Sequence, residues 1–550
     1  MNIERKHTQE QMNQNIDRNI TLTEKPRIVY KIIGFLLVIV FLLPSCTDDE
    51  TEDRKLTFLV TVDPEARENQ DQIVLSWNKI ADRNGQLDIS KIYVKDLNND
   101  ELITPVFYDA DHDQVPEYLL FNTRIHNADP LRPFELVTVN KKKHTIDFLK
   151  DSIRDVSPHK VTYLTPAPEF LLENDLNGKW AETIAESFMK TYPDPAKLEI
   201  FAPGAWTYTN GFFTNGLAYL YSFTKKQQYI EFAQRWLDYF LFEDGRINPK
   251  KYAKELFRLD DILPGRSLLY VYNLTNQPKY LAAANSLIDQ LEHQPKTSEG
   301  GYWHKKVYDW QMWLDGVYMS DVFMLQYAND FDKPEYFNEA IHQIKLIYHH
   351  THDSVTGLLY HGWDESKSKV WANEHSGTSP EFWGRGMGWY MMALVDALDY
   401  IPKEHPERQD VLNIVVDLSS AIHKYQDEQS GLWYQVVDKA HLEGNWPESS
   451  CTAMFAYAFL KAYKKGYLPA EFNTSALKAY QGLKENFIYF DDSGKLYLTG
   501  TVMVGTLNEK YSDGSFDYYV SVDRRVNDFK GISALLYLAI ADEYLTKNEM

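Results

Sequence analysis

The sequence predicts a chain in two parts, a small all-β, sandwich-like region followed by a large all-α repeat of paired helices. Three observations predict this. The 550 residues exceed what one compact core usually holds, since single cores stop growing at roughly 250–300 residues. Near residue 170 the hydrophobic pattern changes from short β-branched and aromatic runs to long stretches of helical period. Beyond that point, turns flanked by tyrosines recur at near-regular spacing. Composition narrows the class further. Apolar residues at 44% and charged residues at 25% exclude disorder for most of the chain. A net charge of −22 repels polyanions and argues against a nucleic-acid partner. The 14% of aromatic residues suits both helix packing and the faces of sugars.

The N-terminal segment carries Lys25, Arg27 and Lys31, then an apolar run from Ile32 to Leu43, then Pro44-Ser45-Cys46. Twelve apolar residues match a signal peptide and fall short of the ~20 a spanning helix needs. Leu43-Pro44-Ser45-Cys46 resembles a bacterial lipobox, in which cleavage leaves Cys46 as a lipidated N-terminus. The expectation is therefore a signal over 1–45 and a lipoprotein anchored to the cell envelope through Cys46, in the outer membrane. An uncleaved membrane anchor is the alternative. Residues 46–54 form an acidic leader that resembles the export tag of surface lipoproteins in the Bacteroidetes phylum. Cys46 and Cys451 are the only thiols, too few for a disulfide framework or a Cys-based zinc site.

Residues 55–165 read as strands, around 55–62, 73–77, 91–95, 117–121 and 134–139, separated by Asn, Asp, Gly and Pro. Asp109-Ala-Asp-His-Asp113 imitates the start of a calcium loop, but Gln114 and Leu120 stand where Gly and Glu are required, which makes it a solvated turn. Residues 170–550 hold a dozen helical stretches, near 178–190, 211–223, 227–242, 263–274, 278–293, 315–328, 334–349, 386–400, 409–424, 450–464, 474–486 and 531–546. Turns running Tyr221 to Tyr229, Tyr272 to Tyr280 and Tyr327 to Tyr336 each close one helix and open the next. Six such hairpins build either an open solenoid or a closed toroid with a central pocket, and in the toroid the long loops 243–262, 294–314 and 350–384 gather at one mouth.

Those loops hold the residues with chemistry. Asp260-Asp261-Ile-Leu-Pro-Gly265-Arg266 ends the first, and the second contains Trp303-His304-Lys305 and Met312-Trp313-Leu-Asp315-Gly316. The third carries Tyr360-His361-Gly-Trp363-Asp364 and closes on Trp383-Gly-Arg385-Gly-Met-Gly-Trp389. Glu448-Ser-Ser450 and Asn527-Asp528-Phe-Lys530-Gly531 follow. Singly, an Asp before an apolar helix is a cap and a Trp is core. Together at successive hairpin ends, paired carboxylates and aromatic rings suit a site that stacks on sugars and exchanges protons.

In order and spacing these six motifs resemble the unsaturated rhamnogalacturonyl hydrolases, glycoside hydrolase family 105, over residues 170 to 546. The resemblance implies an (α/α)6 barrel and a glycosidase acting on an unsaturated oligosaccharide substrate. In that reaction a 4,5-unsaturated uronic acid at the non-reducing end is removed by hydration of its double bond. It implies Asp315 as general acid/base and Asp260 as its partner, with a like charge and burial raising one of the two. Trp313 and Trp389 would stack on the sugar. His361, Arg385 and Lys305 would bind its hydroxyl and carboxylate groups, with Arg385 best placed to fork onto a carboxylate. Tyr208 and Trp383 complete the expected pocket. No His-x-x-x-His or similar cluster suggests a metal, and the proposed hydration requires no cofactor. A silent glycan-binding lipoprotein would keep the rings without the acid pair. A polysaccharide lyase or sugar epimerase on the same toroid is a further alternative. Whether the terminal sugar derives from galacturonic or glucuronic acid, and which sugar follows, stays open, as does the oligomeric state.

Overall fold

The computed structural model describes residues 56–61, 72–84, 87–108, 116, 118–122, 131–139, 143–144, 146, 148–149, 160–173, 178–199, 201 and 203–546. The chain divides at 54/55 into two units, and all the described residues lie in the second. The expected signal, leader and Cys46 fall in the first unit, outside the described residues, and so does the calcium-like turn at 109–113 in the second. Among the described residues no helix is long and apolar enough to cross a membrane.

The strand region builds β1 (Leu56–Thr61), β2 (Gln72–Ser76), β3 (Ile92–Asp96), β4 (Leu102–Ile103), β5 (Val106–Tyr108), β6 (Tyr118–Asn122), β7 (Leu131–Thr138), β8 (Phe148–Leu149) and β9 (Lys160–Pro166). They form two sheets, one ordered β2-β6-β5-β8 and one containing β9-β1-β7-β3-β4. Alternate residues Phe58, Val60, Ile73, Leu75, Leu119 and Phe121 point into one buried cluster between them, as a period of two requires. Trp77 departs from the expected pattern. It opens a helix, Trp77–Asn84, in which Trp77 and Ile80 bury the same face.

The helical region supplies twelve long helices among the described residues. They are α1 (Trp180–Thr191), α2 (Tyr208–Thr224), α3 (Gln227–Phe240), α4 (Gly265–Thr275), α5 (Pro278–Glu292), α6 (Leu314–Gly316 continuing through Val317–Asp321 and Val322–Phe331), α7 (Pro334–Thr351), α8 (Gly384–Ala397), α9 (Arg408–His423), α10 (Ser449–Lys464), α11 (Ala470–Asn486) and α12 (Phe529–Tyr544). The even-numbered helices are apolar on nearly all sides, and every residue of α8 is buried. The odd-numbered ones carry one apolar stripe and face solvent. Helix α2 packs on α4, α4 on α6, α6 on α8, α8 on α10, α10 on α12, and α12 back on α2. The ring closes, so the repeat is an (α/α)6 barrel and not an open solenoid.

The repeated tyrosines now have a physical reason. Each short turn is closed by a left-handed residue, Lys225, Asn276 or Asp332, at φ 57°, 53° and 52°. The Tyr that opens the following outer helix then donates its hydroxyl to a carboxylate on the preceding outer helix. Tyr229 reaches Glu186 at 3.0 Å, Tyr280 reaches Asp238 at 2.8 Å and Tyr336 reaches Glu292 at 2.6 Å. A hairpin between α11 and α12, β12 (Ile488–Phe490) and β13 (Leu496–Leu498), adds itself to β9, so the larger sheet runs β13-β12-β9-β1-β7-β3-β4. Leu59 and Leu164 pack with Tyr489, Tyr497 and Val526. Strand region and barrel thus share one sheet.

Candidate active site

Connections 192–207, 241–264, 293–313, 352–383, 424–448 and 487–528 each lead from an outer helix to the start of an inner one. Because hairpin partners run antiparallel, all six inner N-termini lie at the same end of the barrel, and the long connections gather there. Short ladders zip them together. β10 (Gln311–Trp313) pairs with β11 (Gly362–Asp364), which sets Trp313 opposite Gly362. Arg258 bridges to Lys305, and the amides of Leu259 and Leu314 donate to the carbonyls of His304 and His361 at 3.1 and 3.0 Å. These backbone bonds bring Asp260, His304, Lys305, Asp315 and His361 to one place.

Asp315 sits in the first turn of α6, immediately before the π-helical turn Val317–Asp321, a distortion that recurs at functional sites. Its Oδ2 lies 3.1 Å from His361 Nε2, and among the described residues its Oδ1 has no protein partner. His361 is fully buried, and its Nδ1 lies 2.7 Å from the Tyr519 hydroxyl. Burial pushes the imidazole below its usual range, so the ring is neutral at neutral pH although it touches a carboxylate. Gly386 permits this packing, since a Cβ there would come within 3.2 Å of the His361 ring.

Asp260 is held differently. Its carboxylate meets Lys305 Nζ at 2.6 Å and His304 Nε2 at 3.3 Å. Burial alone would raise it, but Lys305 and His304 outweigh burial and hold it well below the usual carboxylate range. Asp260 is therefore the ionised carboxylate. Its neighbour Asp261 faces Arg258 at 2.8 Å, yet burial pushes it up to about 7.

The remaining expected residues divide by what they touch. Tyr208 opens α2, half-buried, where its hydroxyl feels the charges of Asp260, Arg385, Asp528 and Asp315. Lys305 lies at the pocket but is already paired with Asp260. Arg385 departs from the expectation of a free fork: it is fully buried, with Nη1 donating to the Val502 carbonyl at 2.6 Å and Nη2 to that of Met503 at 2.9 Å. Each of these nitrogens spends one N–H on a carbonyl, and among the described residues Nε has no partner, so the guanidinium is anchored at Nη1 and Nη2. The tryptophans are filled in as well. Trp313 stacks on His304 and Tyr308 at 4.6 and 4.7 Å and clusters with Trp371 and Leu507. Trp389 is wedged among Phe212, Tyr318 and Tyr208, and Trp383 between His361 and Tyr519. All three are at most 5% exposed and shape the wall without presenting an open ring face. The accessible groups are polar, with side chains 13% exposed at Asp315, 18% at Asp260 and 20% at Lys305.

Two motifs prove to be scaffolding. Glu448 caps α10 and also accepts the amide of Val502 at 2.9 Å, while Asp528 caps α12 and pairs with Lys530. Sequence reasoning gave no role to His304, Tyr308 or Tyr519. His304 adjoins Lys305 in a short ladder, a position a strand reading of 302–305 would have signalled. Tyr519 comes from the short helix Phe516–Ser521, 158 residues after His361, and no local pattern links them. Among the described residues, the one His/Asp/Glu group spaced to hold a metal is Asp289, Glu292 and His293 near the end of α5, and it includes none of the pocket residues.

Comparison with known proteins agrees with the geometry. The profile of Glycosyl Hydrolase Family 88 matches residues 180–546. A solved glycoside hydrolase of family 105 from C. acetobutylicum is 36% identical, with a TM-score of 0.64, covering 67% of this chain and 100% of that one. Protein Atu3128 of Agrobacterium fabrum is 36% identical over 233 residues, 40% of this chain and 97% of its own. The unsaturated rhamnogalacturonyl hydrolase YesR of Bacillus subtilis is 29% identical over 266 residues, 47% of this chain and 72% of its own. From the extent of the profile match, and from the identity held across a whole solved barrel, the chain belongs to the glycosyl hydrolase family 88 and 105 group of unsaturated uronyl hydrolases and is a glycosidase.

Proposed function

We propose that this chain removes a 4,5-unsaturated uronic acid from the non-reducing end of lyase-generated oligosaccharides, with Asp315 as general acid and base. The observation that carries the reading is the contrast between two neighbouring acids. Asp260 is pinned as an anion by Lys305 and His304, whereas Asp315 keeps one carboxyl oxygen free beside a neutral imidazole.

The C4=C5 bond of the substrate is an enol ether conjugated to a carboxylate. Asp315 donates its proton to C4, water adds at C5 and returns a proton to Asp315, and the resulting hemiketal opens and releases the next sugar. Microscopic reversibility lets one carboxyl serve both transfers. Tyr208 and Lys305 line the same opening and are the groups placed to meet the sugar. The net charge of −22 opposes an anionic substrate, but six inner helices present their positive N-terminal ends here, around Lys305. YesR is named as an unsaturated rhamnogalacturonyl hydrolase, which supports an unsaturated rhamnogalacturonyl oligosaccharide as the first substrate to try.

The test is the ultraviolet absorbance of the conjugated alkene. Hydration abolishes it, so wild-type protein is expected to remove it from at least one member of a panel of lyase products. A polysaccharide lyase would create that absorbance, and a silent binding protein would leave it unchanged. We also propose that Cys46 carries a lipid anchor in the cell envelope, on the strength of the short apolar run before it. Cys46→Ser is expected to move the protein from the membrane to the soluble fraction.

A further inference from the structure

Both ring nitrogens of His361 are occupied. Nε2 faces Asp315 Oδ2 at 3.1 Å and Nδ1 faces the Tyr519 hydroxyl at 2.7 Å. The ring has little freedom to turn. Its own carbonyl accepts from the Leu314 amide at 3.0 Å, its amide donates to the Glu381 carbonyl, and the rings of Trp383 and Trp313 lie 4.5 and 5.4 Å from it. Tyr519 is also fully buried, and among the described residues its hydroxyl has no hydrogen-bond partner besides His361.

We propose that Tyr519 is a positioning residue which, through the ring of His361, places the exchangeable proton of Asp315 on Oδ1, the oxygen that His361 does not hold. This rests on Asp315 being the general acid. A neutral imidazole has one N–H and one bare nitrogen, and its surroundings decide which is which. Burial keeps the Tyr519 phenol protonated and the His361 ring neutral. The phenol has one hydrogen to donate, and Nδ1 is its acceptor. Nδ1 is then the bare nitrogen, Nε2 carries the hydrogen, and Nε2–H donates to Oδ2. An Oδ2 that accepts this bond is not the protonated oxygen, so the proton rests on Oδ1 and is available to C4. Without the phenol hydrogen the other tautomer becomes accessible. Nδ1 then carries the hydrogen, Nε2 accepts from a protonated Oδ2, and the acid's proton points into the protein. The outer partner thus selects the form of the inner one, as second-layer groups do around other functional imidazoles.

The experiment uses the full chain with Tyr519→Phe, His361→Gln and the double variant, followed by loss of alkene absorbance on an unsaturated oligosaccharide. Tyr519→Phe is expected to lower kcat by roughly tenfold to a hundredfold, within the ~10²–10⁴ that acid–base catalysis contributes, with KM nearly unchanged because Tyr519 does not reach the pocket. In the His361→Gln background the same change is expected to alter kcat by less than about twofold, since the ring that transmits it is gone. An unchanged kcat in Tyr519→Phe, or an equal loss in both backgrounds, overturns the proposal. Nitrogen-15 spectra of histidine-labelled protein decide the tautomer without any substrate, the His361 signal being the one missing in His361→Gln. A bare Nδ1 is expected in the wild type, and a protonated Nδ1 would refute the proposal. If wild type consumes no substrate, the catalytic reading fails by itself, and the spectra still decide whether Tyr519 sets the ring.

Discussion

Replacing Asp315 by Asn tests the chemistry with the least disturbance. The amide occupies the same volume, and its carbonyl can still accept from His361 Nε2, so the one hydrogen bond Asp315 makes is kept. The side chain is also partly exposed, so folding is expected to change by no more than about 1 kcal/mol. What disappears is the exchangeable proton. General acid–base catalysis is worth about 10²–10⁴ in rate, or about 3–5.5 kcal/mol of barrier. Here one group serves both the protonation of C4 and the deprotonation of water, so the loss is expected at the upper end. Turnover measured by alkene absorbance should fall by at least about a thousandfold, and calorimetric titration of the variant should still show substrate binding. Activity within about tenfold of wild type would refute the assignment of Asp315, whatever the behaviour of Asp260.

Other perturbations address the supports of the site. Lys305→Met removes the principal cation that holds Asp260 down. A depressed carboxyl stabilises the fold above its unfolded value of 3.8 and loses that stabilisation as pH falls through the folded value. The variant is therefore expected to unfold at higher pH than wild type on acid titration followed by circular dichroism. Arg385→Gln abandons the carbonyls of Val502 and Met503 and should cost about 3 kcal/mol in urea unfolding. A raised KM with unchanged stability would instead restore Arg385 as a free carboxylate reader. Tyr280→Phe deletes one bond between outer helices and is expected to cost about 0.5–1.5 kcal/mol in the same assay while leaving kcat unchanged.

The helices were legible because their apolar period is local and their turns repeat. Inner helices begin two or three residues before the expected starts at α2, α8 and α12, since Tyr208, Gly384 and Phe529 belong to first turns that read as loop. Glycines such as Gly384 and Gly386 lower helix propensity, so local reasoning began the helix only at Gly386 and left Gly384 in the loop. They are there because Cys451 and His361 approach too closely for a Cβ. Aromatic motifs carry less information about exposure: Trp313 and Trp389 were expected to stack on the sugar and are 5% and 1% exposed, because a ring is equally good at filling a barrel interior and burial cannot be read from a motif.

The sequence by itself determined the class of fold and the number of hairpins, and it singled out Asp260 and Asp315 as candidates, because periodicity, turn chemistry and ordered motifs are properties of neighbouring residues. The hairpin count alone could not choose between solenoid and toroid, although the family resemblance implied the barrel, because closure depends on α12 meeting α2 across the whole repeat. Nor could local pattern show how two aspartates of the same chemistry differ in their surroundings, although the family resemblance gave them separate roles. Asp260 is an anion because Lys305 and His304 surround it, and Asp315 has a free oxygen because His361, itself held by Tyr519, meets only the other one. Electrostatic character comes from what lies within a few ångströms, and those neighbours arrive from parts of the chain that only the folded ring brings together.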